Sequence, residues 1–146
     1  MIPRSSCGTE RRRPSHPWKE ATIIAYRILI VEDDAAIRES VAALLQLDGH
    51  HVETVDGGQA ALNLLAGRSY DVILSDVRMP GMDGTELYRH IEQRWPHLAP
   101  RVVLVTADES AGFQAQYGGA PVPTLTKPYT IERLQEVIAR VIAQDS

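Results

Sequence analysis

The sequence predicts an α/β protein with a doubly wound, five-stranded parallel sheet and helices on both faces. Two short aliphatic runs, Ile28–Val31 and Val72–Leu74, carry this prediction, because continuous apolar runs of this length are typical of strands buried on both faces of a parallel sheet. Between the runs lie stretches with apolar residues at helical spacing. Repeated strand–helix units favour a parallel sheet with right-handed crossovers.

Five strand–helix units can be placed in order along the chain. The strands are predicted over residues 27–31, 51–55, 71–75, 101–105 and 122–126. The helices are predicted over residues 35–47, 59–65, 84–95, 111–117 and 131–142. Asp34 precedes the first helix and can cap it. Pro121 and Pro123 lie beside and within the fifth strand, which is tolerated only at the edge of a sheet.

Length and composition are those of one soluble domain. The chain has 146 residues, 44% of them hydrophobic, and no apolar stretch approaches the eighteen or so residues that a membrane span needs. Cys7 is the one cysteine and cannot form an internal disulfide. A reducing, cytoplasmic location is therefore expected.

Charge divides the chain into two parts. Residues 1–27 hold six Arg or Lys against two Glu, whereas the rest carries a net charge of −8. We predict a disordered, basic, proline-containing tail over residues 1–25 and a folded domain over 26–146. The acidic domain argues against nucleic acid as a direct partner.

Polar side chains follow the predicted strands at their carboxyl ends, where open α/β sheets bind ligands. The first strand is followed by Glu32 and Asp33, the third by Asp76, the fourth by Thr106 and the fifth by Lys127. Clustered carboxylates repel one another unless a positive charge lies among them. The set favours Mg²⁺, which prefers oxygen ligands and often shares its shell with a phosphate.

The same set suits phosphoryl transfer to an aspartate. Hydroxyl and ammonium groups bind phosphoryl oxygens, and a carboxylate can itself attack phosphorus to form an aspartyl phosphate. Lys127 is the only lysine among the nine basic residues at positions 28–146. A compact point charge at this one position supports a specific role.

These residues stand in four motifs that together resemble the response-regulator receiver domain of two-component signalling, the family of the chemotaxis receiver. The resemblance runs from about Tyr26 to Ala143. Its motifs are Ile28–Asp34, Asp71–Gly84, Val102–Ala107 and Thr126–Tyr129. The family implies a flavodoxin-like (βα)5 fold. The chain resembles both single-domain receivers and those associated with hybrid sensor kinases.

The resemblance implies a role for each residue of the metal site. Asp76 looks like the phospho-acceptor and is expected to lie beside the metal as well. Asp33 would bind Mg²⁺ directly, Glu32 would hold the metal or a water on it, and the carbonyl of Arg78 would be a further ligand.

The phosphoryl group is implied to have a separate set of contacts. The Thr106 hydroxyl would donate a hydrogen bond to it and Lys127 would pair with it. The amides of Val77 and Ala107 would bind its oxygens. The bond between Lys127 and Pro128 is expected to be cis.

Two positions depart from the family pattern. Many receivers have Tyr or Phe three residues before the lysine, as a ring that follows the threonine, and this chain has Thr124 there. Tyr129 matches a position that is commonly Phe and structural. The departure at Thr124 puts in doubt the usual output through the fourth strand and the elements after it.

The function expected from the resemblance is that of a signalling switch rather than an enzyme with a separate substrate. A sensor histidine kinase or a histidine phosphotransfer protein would supply the phosphoryl group. The downstream target is not indicated, a homodimer is possible and no membrane contact is expected. No output domain is expected after the last helix. Two alternatives stay open: a Mg²⁺-dependent phosphatase that works through an aspartyl phosphate, and a binding module that is never phosphorylated.

Overall fold

A five-stranded parallel sheet forms the centre of the molecule. The computed structural model describes residues 25–107 and 122–143. The strands are β1 (Arg27–Val31), β2 (His51–Val55), β3 (Val72–Asp76), β4 (Val102–Thr106) and β5 (Thr124–Thr126). They lie in the order β2-β1-β3-β4-β5, and every neighbouring pair is parallel. The fold class predicted from the sequence is confirmed, and β5 lies at an edge, as its prolines indicate.

In the described residues, four α-helices and one 3₁₀ helix connect and cover the strands. They are α1 (Ala35–Leu47), α2 (Gly58–Leu65), α3 (Gly84–Arg94), the 3₁₀ helix Pro96–Arg101 and α4 (Ile131–Ala143). Asp34 caps α1 as predicted, because its Oδ1 accepts a hydrogen bond from the Ile37 N–H at 3.1 Å. Among the described helices, none combines the length and apolar character that crossing a membrane requires.

Alternate residues of each strand enter opposite layers of the core. Leu29 and Ile73 pack with α2 and α3, whereas Ile28 and Leu74 pack with α1 and α4. Side chains of a strand point to alternate faces, so a strand that is apolar throughout fills two layers at once. This explains why the short aliphatic runs in the sequence predict a sheet covered on both faces.

Several element boundaries differ from the sequence prediction by one or two residues. The strands β3 and β4 each begin and end one residue later, so Asp76 and Thr106 are the last residues of their strands. The strand β5 begins at Thr124 rather than Val122, because Pro123 precedes it. Gly58 begins α2, α3 ends at Arg94 and α4 extends to Ala143.

One element was not predicted, and one prediction lies outside the described residues. The 3₁₀ helix begins at Pro96, which fits a first helical position because its missing N–H needs no partner there. The predicted helix over 111–117 and the predicted tail over 1–25 fall on residues that the structure does not describe, apart from Ala25.

Candidate functional site

Three carboxylates meet at the carboxyl edge of the sheet. Oxygen atoms of Glu32, Asp33 and Asp76 lie within 4.8 Å of one another. Glu32 and Asp76 are buried and Asp33 is exposed. We call these three residues the acid cluster.

The register of the sheet produces this cluster. Val31 of β1 pairs with Ser75 of β3, so the next residues along, Glu32 and Asp76, lie side by side. The Glu32 N–H still donates to the Val55 carbonyl at 3.1 Å, and the chain turns into α1 directly afterwards. Both carboxylates are therefore held by backbone that belongs to the rigid centre of the sheet.

Lys127 brings a positive charge to the cluster from the other side. Its Nζ lies 2.9 Å from Asp76 Oδ2 and 3.9 Å from Glu32 Oε1. Its side chain is 31% exposed, against 10% for Asp76, so the ion pair lies at the border of the solvent. The peptide bond between Lys127 and Pro128 is cis. Three carboxylates thus face one ammonium group.

The electrostatics of the cluster follow from this imbalance. Burial, followed by the charge of Asp76 and a hydrogen bond with it, raises the pKa of Glu32 from 4.5 to about 7, against the opposing effects of the Asp34 amide and Lys127. Burial lowers the pKa of Lys127, but its hydrogen bond and charge contact with Asp76, together with the charge of Glu32, raise it overall. Lys127 therefore remains charged, while the acids retain unfavourable charge that a cation would relieve.

The backbone after Asp76 turns back toward its carboxylate. The Arg78 N–H donates to Asp76 Oδ1 at 3.3 Å, and the Ser75 hydroxyl donates to the Asp76 carbonyl at 3.1 Å. The Val77 N–H instead donates to the Val105 carbonyl at 2.9 Å. The phosphoryl contact predicted for the Val77 amide stays a prediction, and it requires that bond to be shared or broken. The Arg78 amide already points at the carboxylate.

Gly84 lets the start of α3 approach the end of β3 closely. A Cβ atom at this position would lie 2.4 Å from the Asp76 carbonyl oxygen, which is far inside van der Waals contact. The preceding Asp83 caps α3 in a reciprocal arrangement with Glu86. Burial raises the pKa of Asp83, but hydrogen bonds from Thr85 and the Glu86 amide lower it overall. The loop from Val77 to Asp83 is therefore held at both ends.

Thr106 ends β4 next to the cluster. It is buried, and its carbonyl accepts a hydrogen bond from the Lys127 N–H at 2.8 Å. Because Asp76 pairs with Val105, Thr106 lies one residue beyond Asp76 on the neighbouring strand. Ala107 follows and is exposed. Thr124 is the first residue of β5 and half-buried, opposite Leu104.

The donor set fits a hard divalent cation. Carboxylate oxygens are the ligands that Mg²⁺ prefers, and one exposed ligand, Asp33, leaves room for the waters that Mg²⁺ retains. The excess of negative charge beside a single ammonium points the same way. The roles predicted for Glu32, Asp33 and the Arg78 carbonyl as ligands stay predictions.

One contact of this region was not predicted from the sequence. The Arg38 guanidinium reaches from the first turns of α1 to the Glu32 carbonyl, with 2.7 Å between Nη1 and the oxygen. An arginine seven residues after the end of a strand is an ordinary helix-surface residue in a sequence, so no local signal identified it. Tyr129 is half-buried behind the cluster, and burial raises its pKa.

Sequence comparison gives one family over most of the chain. The family model described as the response regulator receiver domain matches residues 28–139. Response regulator protein FleR of Pseudomonas aeruginosa is 38% identical over 117 residues, which are 80% of this chain and 24% of FleR. Transcriptional regulatory protein FixJ of Bradyrhizobium diazoefficiens is 36% identical over 117 residues, 80% of this chain and 57% of FixJ. The chain thus spans between about a quarter and just over half of these relatives.

Solved structures agree with the sequence comparison. Chemotaxis protein CheY4 of Vibrio cholerae has a TM-score of 0.74 and 31% identity, covering 81% of this chain and 99% of CheY4. The receiver domain of sensor histidine kinase PA1611 of Pseudomonas aeruginosa, described with a magnesium ion coordinated in its active-site cleft, has a TM-score of 0.72 and 28% identity. It covers 82% of this chain and 99% of that domain.

Proposed function

The chain belongs to the response regulator receiver domain family, and we propose that Asp76 is the residue on which it accepts a phosphoryl group. The observation that carries this proposal is the position of the Asp76 carboxylate, between the acid pair of β1 and the ammonium of Lys127. Signalling through a two-component system follows from the family. For this chain we propose, in addition, the acceptor residue, the metal and the class of phosphoryl donor.

The reaction proposed is an attack of the Asp76 carboxylate on phosphorus. An oxygen–phosphorus bond forms to Asp76 while the nitrogen–phosphorus bond of a phosphohistidine breaks, and the departing imidazole takes a proton from solvent. Bound Mg²⁺ would supply positive charge to the phosphoryl oxygens during the transfer. Glu32, Asp33 and the Arg78 carbonyl are the groups proposed to hold it.

Lys127 has two successive tasks in this reaction. Before transfer, its ion pair with Asp76 holds the carboxylate in place and offsets part of the charge of the cluster. After transfer the Asp76 carboxylate carries the phosphoryl group as an acyl phosphate, and the phosphoryl oxygens replace the carboxylate oxygen as the partner of the ammonium. The Thr106 hydroxyl and the amides of Val77, Arg78 and Ala107 are the remaining donors near this position.

A protein is the proposed phosphoryl donor, either a sensor histidine kinase or a histidine phosphotransfer protein. Three large hydrophobic side chains are exposed among the described residues, and all lie on α1: Ile37, Leu44 and Leu47. Their spacing of seven and three residues places them along one face of the helix. Because α1 begins two residues after Asp33, this apolar row starts near the site and suits an amphipathic partner helix.

The two alternatives are not favoured. A phosphatase that works through an aspartyl phosphate needs its nucleophile and a second aspartate on the same first strand, whereas Asp76 here lies on β3. A module that is never phosphorylated has no need of an acid cluster and a lysine together. We therefore propose a signalling role, in the cytoplasm, rather than that of an enzyme with a separate substrate.

A phosphorylation assay tests the acceptor. Incubated with Mg²⁺ and acetyl phosphate, the protein should gain the mass of one phosphoryl group, and Asp76→Asn should abolish the gain. Asp56→Asn is the matched control, because Asp56 is an exposed aspartate outside the cluster. Labelling at full yield in Asp76→Asn, mapped to another residue, would contradict the proposal.

A further inference from the structure

The peptide group between Glu32 and Asp33 has an unusual hydrogen-bond partner. Its carbonyl, at the point where the chain leaves β1, accepts a hydrogen bond from Arg38 Nη1 at 2.7 Å. The donor is charged and half-buried, and hydrogen bonds from charged donors are shorter and stronger than neutral ones. Arg38 thus fixes the orientation of the peptide group that joins Glu32 to Asp33.

Other bonds fix the turn on either side of Asp33 but do not reach its side chain. The Asp34 N–H donates to Glu32 Oε2 at 3.1 Å, and the Arg38 N–H donates to the Asp34 carbonyl at 2.9 Å. Within residues 25–107 and 122–143, the Asp33 carboxylate has no hydrogen bond or ion pair. Its direction toward the cluster therefore depends on the backbone that carries it.

In the part of the chain that the structure describes, no carboxylate forms a salt bridge with the Arg38 guanidinium. Removing a cation close to an acid cluster should, by Coulomb's law alone, strengthen the binding of a divalent cation. A loss of binding on the same change would therefore indicate positioning rather than charge.

We propose that Arg38 is a positioning residue for the metal site: it orients the peptide group between Glu32 and Asp33 so that the Asp33 carboxylate faces Glu32 and Asp76. This inference rests on the proposed function, because it takes the acid cluster as the Mg²⁺ site. Groups that orient metal ligands contribute substantially to affinity without touching the metal.

The test compares three variants of the whole chain. Arg38→Met keeps the aliphatic stem and removes the donor, whereas Arg38→Lys keeps a charged donor. Arg140→Met is the control, because Arg140 is an exposed arginine on α4 whose loss changes the net charge equally. Calorimetry gives the Mg²⁺ dissociation constant, and amide NMR spectra of the metal-free proteins report the Asp33 backbone directly.

Arg38→Met should weaken Mg²⁺ binding roughly tenfold, with Arg38→Lys between it and the wild type and Arg140→Met near the wild type. The Asp33 amide resonance should move in metal-free Arg38→Met and stay in place in Arg140→Met. Binding by Arg38→Met that equals or exceeds that of the wild type would overturn the inference.

Two further outcomes separate the possible failures. If Arg38→Met does not fold, Arg38→Lys and Arg38→Gln decide, and wild-type affinity with an unmoved Asp33 amide in both would overturn the inference. Wild-type protein that binds no Mg²⁺ would overturn the proposed metal site itself. If the wild type binds Mg²⁺ and Arg38→Met binds it with the same affinity, only the positioning role of Arg38 is overturned.

Discussion

Two glutamates of the same sheet, Glu32 and Glu53, lie in opposite electrostatic surroundings. Glu32 follows β1 and shares its site with two aspartates and one lysine. Glu53 lies in the neighbouring strand β2 and accepts hydrogen bonds from the Tyr70 hydroxyl and from Arg68. We call Glu53, Arg68 and Tyr70 the Glu53 network.

The pKa shifts of the two glutamates have opposite signs. Burial raises the pKa of Glu32 to about 7. The hydrogen bond from Tyr70 lowers the pKa of Glu53, with Arg68 acting in the same direction against a smaller effect of burial. In Tyr70, burial raises the pKa to about 12, with the bond to Glu53 adding to it, so its hydroxyl remains a donor.

The opposite pKa shifts indicate different roles: Glu32 has the surroundings of a functional site, whereas Glu53 contributes to stability. In the Glu53 network each charge has a partner, so the ionised glutamate favours the folded state. In the acid cluster the ionised glutamate opposes folding, and the fold retains it nevertheless. Groups with such strongly raised pKa values are typical of functional sites, where a ligand supplies the missing charge.

The largest expected effect comes from removing the cation in each region. Lys127→Met removes the ion-pair partner of the Glu32 and Asp76 carboxylates and should lower the free energy of unfolding by on the order of 2 kcal/mol at pH 8. Mg²⁺ should restore part of this loss by binding the folded state. Arg68→Met removes a half-exposed partner and should have a small effect that Mg²⁺ does not change.

Urea unfolding at pH 8, with and without Mg²⁺, measures both variants. If Lys127→Met and Arg68→Met lose the same free energy of unfolding, and Mg²⁺ changes neither loss, the acid cluster would not differ from the Glu53 network.

The second effect compares the two glutamates directly. Glu32→Gln removes an unfavourable charge and should stabilise the metal-free protein by about 1 kcal/mol at pH 8. A raised carboxyl pKa costs nothing below the unfolded value of 4.5 and has its full cost above about 7, so the gain should vanish below pH 4.5. Glu53→Gln should instead destabilise the protein at pH 8. Unfolding curves of both variants at pH 4 and pH 8 test this, and the same sign at pH 8 in both would contradict it.

The smallest expected effect is the pH dependence that Glu53 contributes. Its folded pKa is lowered, so its stabilising contribution is complete above the unfolded value of 4.5 and is lost as the pH falls through the folded value. Because 36% of the Glu53 side chain is exposed to solvent, which screens its charge, we expect only a few tenths of a kcal/mol. The difference in unfolding free energy between the wild type and Glu53→Gln should shrink from pH 6 to pH 3, and a difference that grows would contradict the assignment.

Much of the site could be predicted from the sequence because each of its groups ends a strand. Glu32, Asp76, Thr106 and Lys127 each follow or close a short apolar run, and parallel strands bring their carboxyl ends to one edge. Although β3 and β4 each begin and end one residue later than predicted, the same polar residues lie at this edge of the sheet. The 3₁₀ helix at Pro96 escaped prediction, since it has no apolar period to identify it.

The contacts that distinguish the two regions could not be predicted in the same way. Tyr70 and Glu53 are seventeen residues apart, and Arg68 and Glu53 fifteen, with no motif to relate them. Arg38 could be placed on a helix but not against the Glu32 carbonyl. Such pairs depend on the packing of a helix or loop on the sheet.

By itself, the sequence determined the order of strands and helices, the faces they bury and the set of polar groups at one edge of the sheet. Those properties depend on hydrophobic period and on position at strand ends, which are local. Only the tertiary structure decided which carboxylate is buried without a full partner, which is neutralised by neighbours, and which arginine holds the turn of the acid cluster. Desolvation and hydrogen-bond geometry depend on every element packed around a group, and the chain brings those elements together only when it folds.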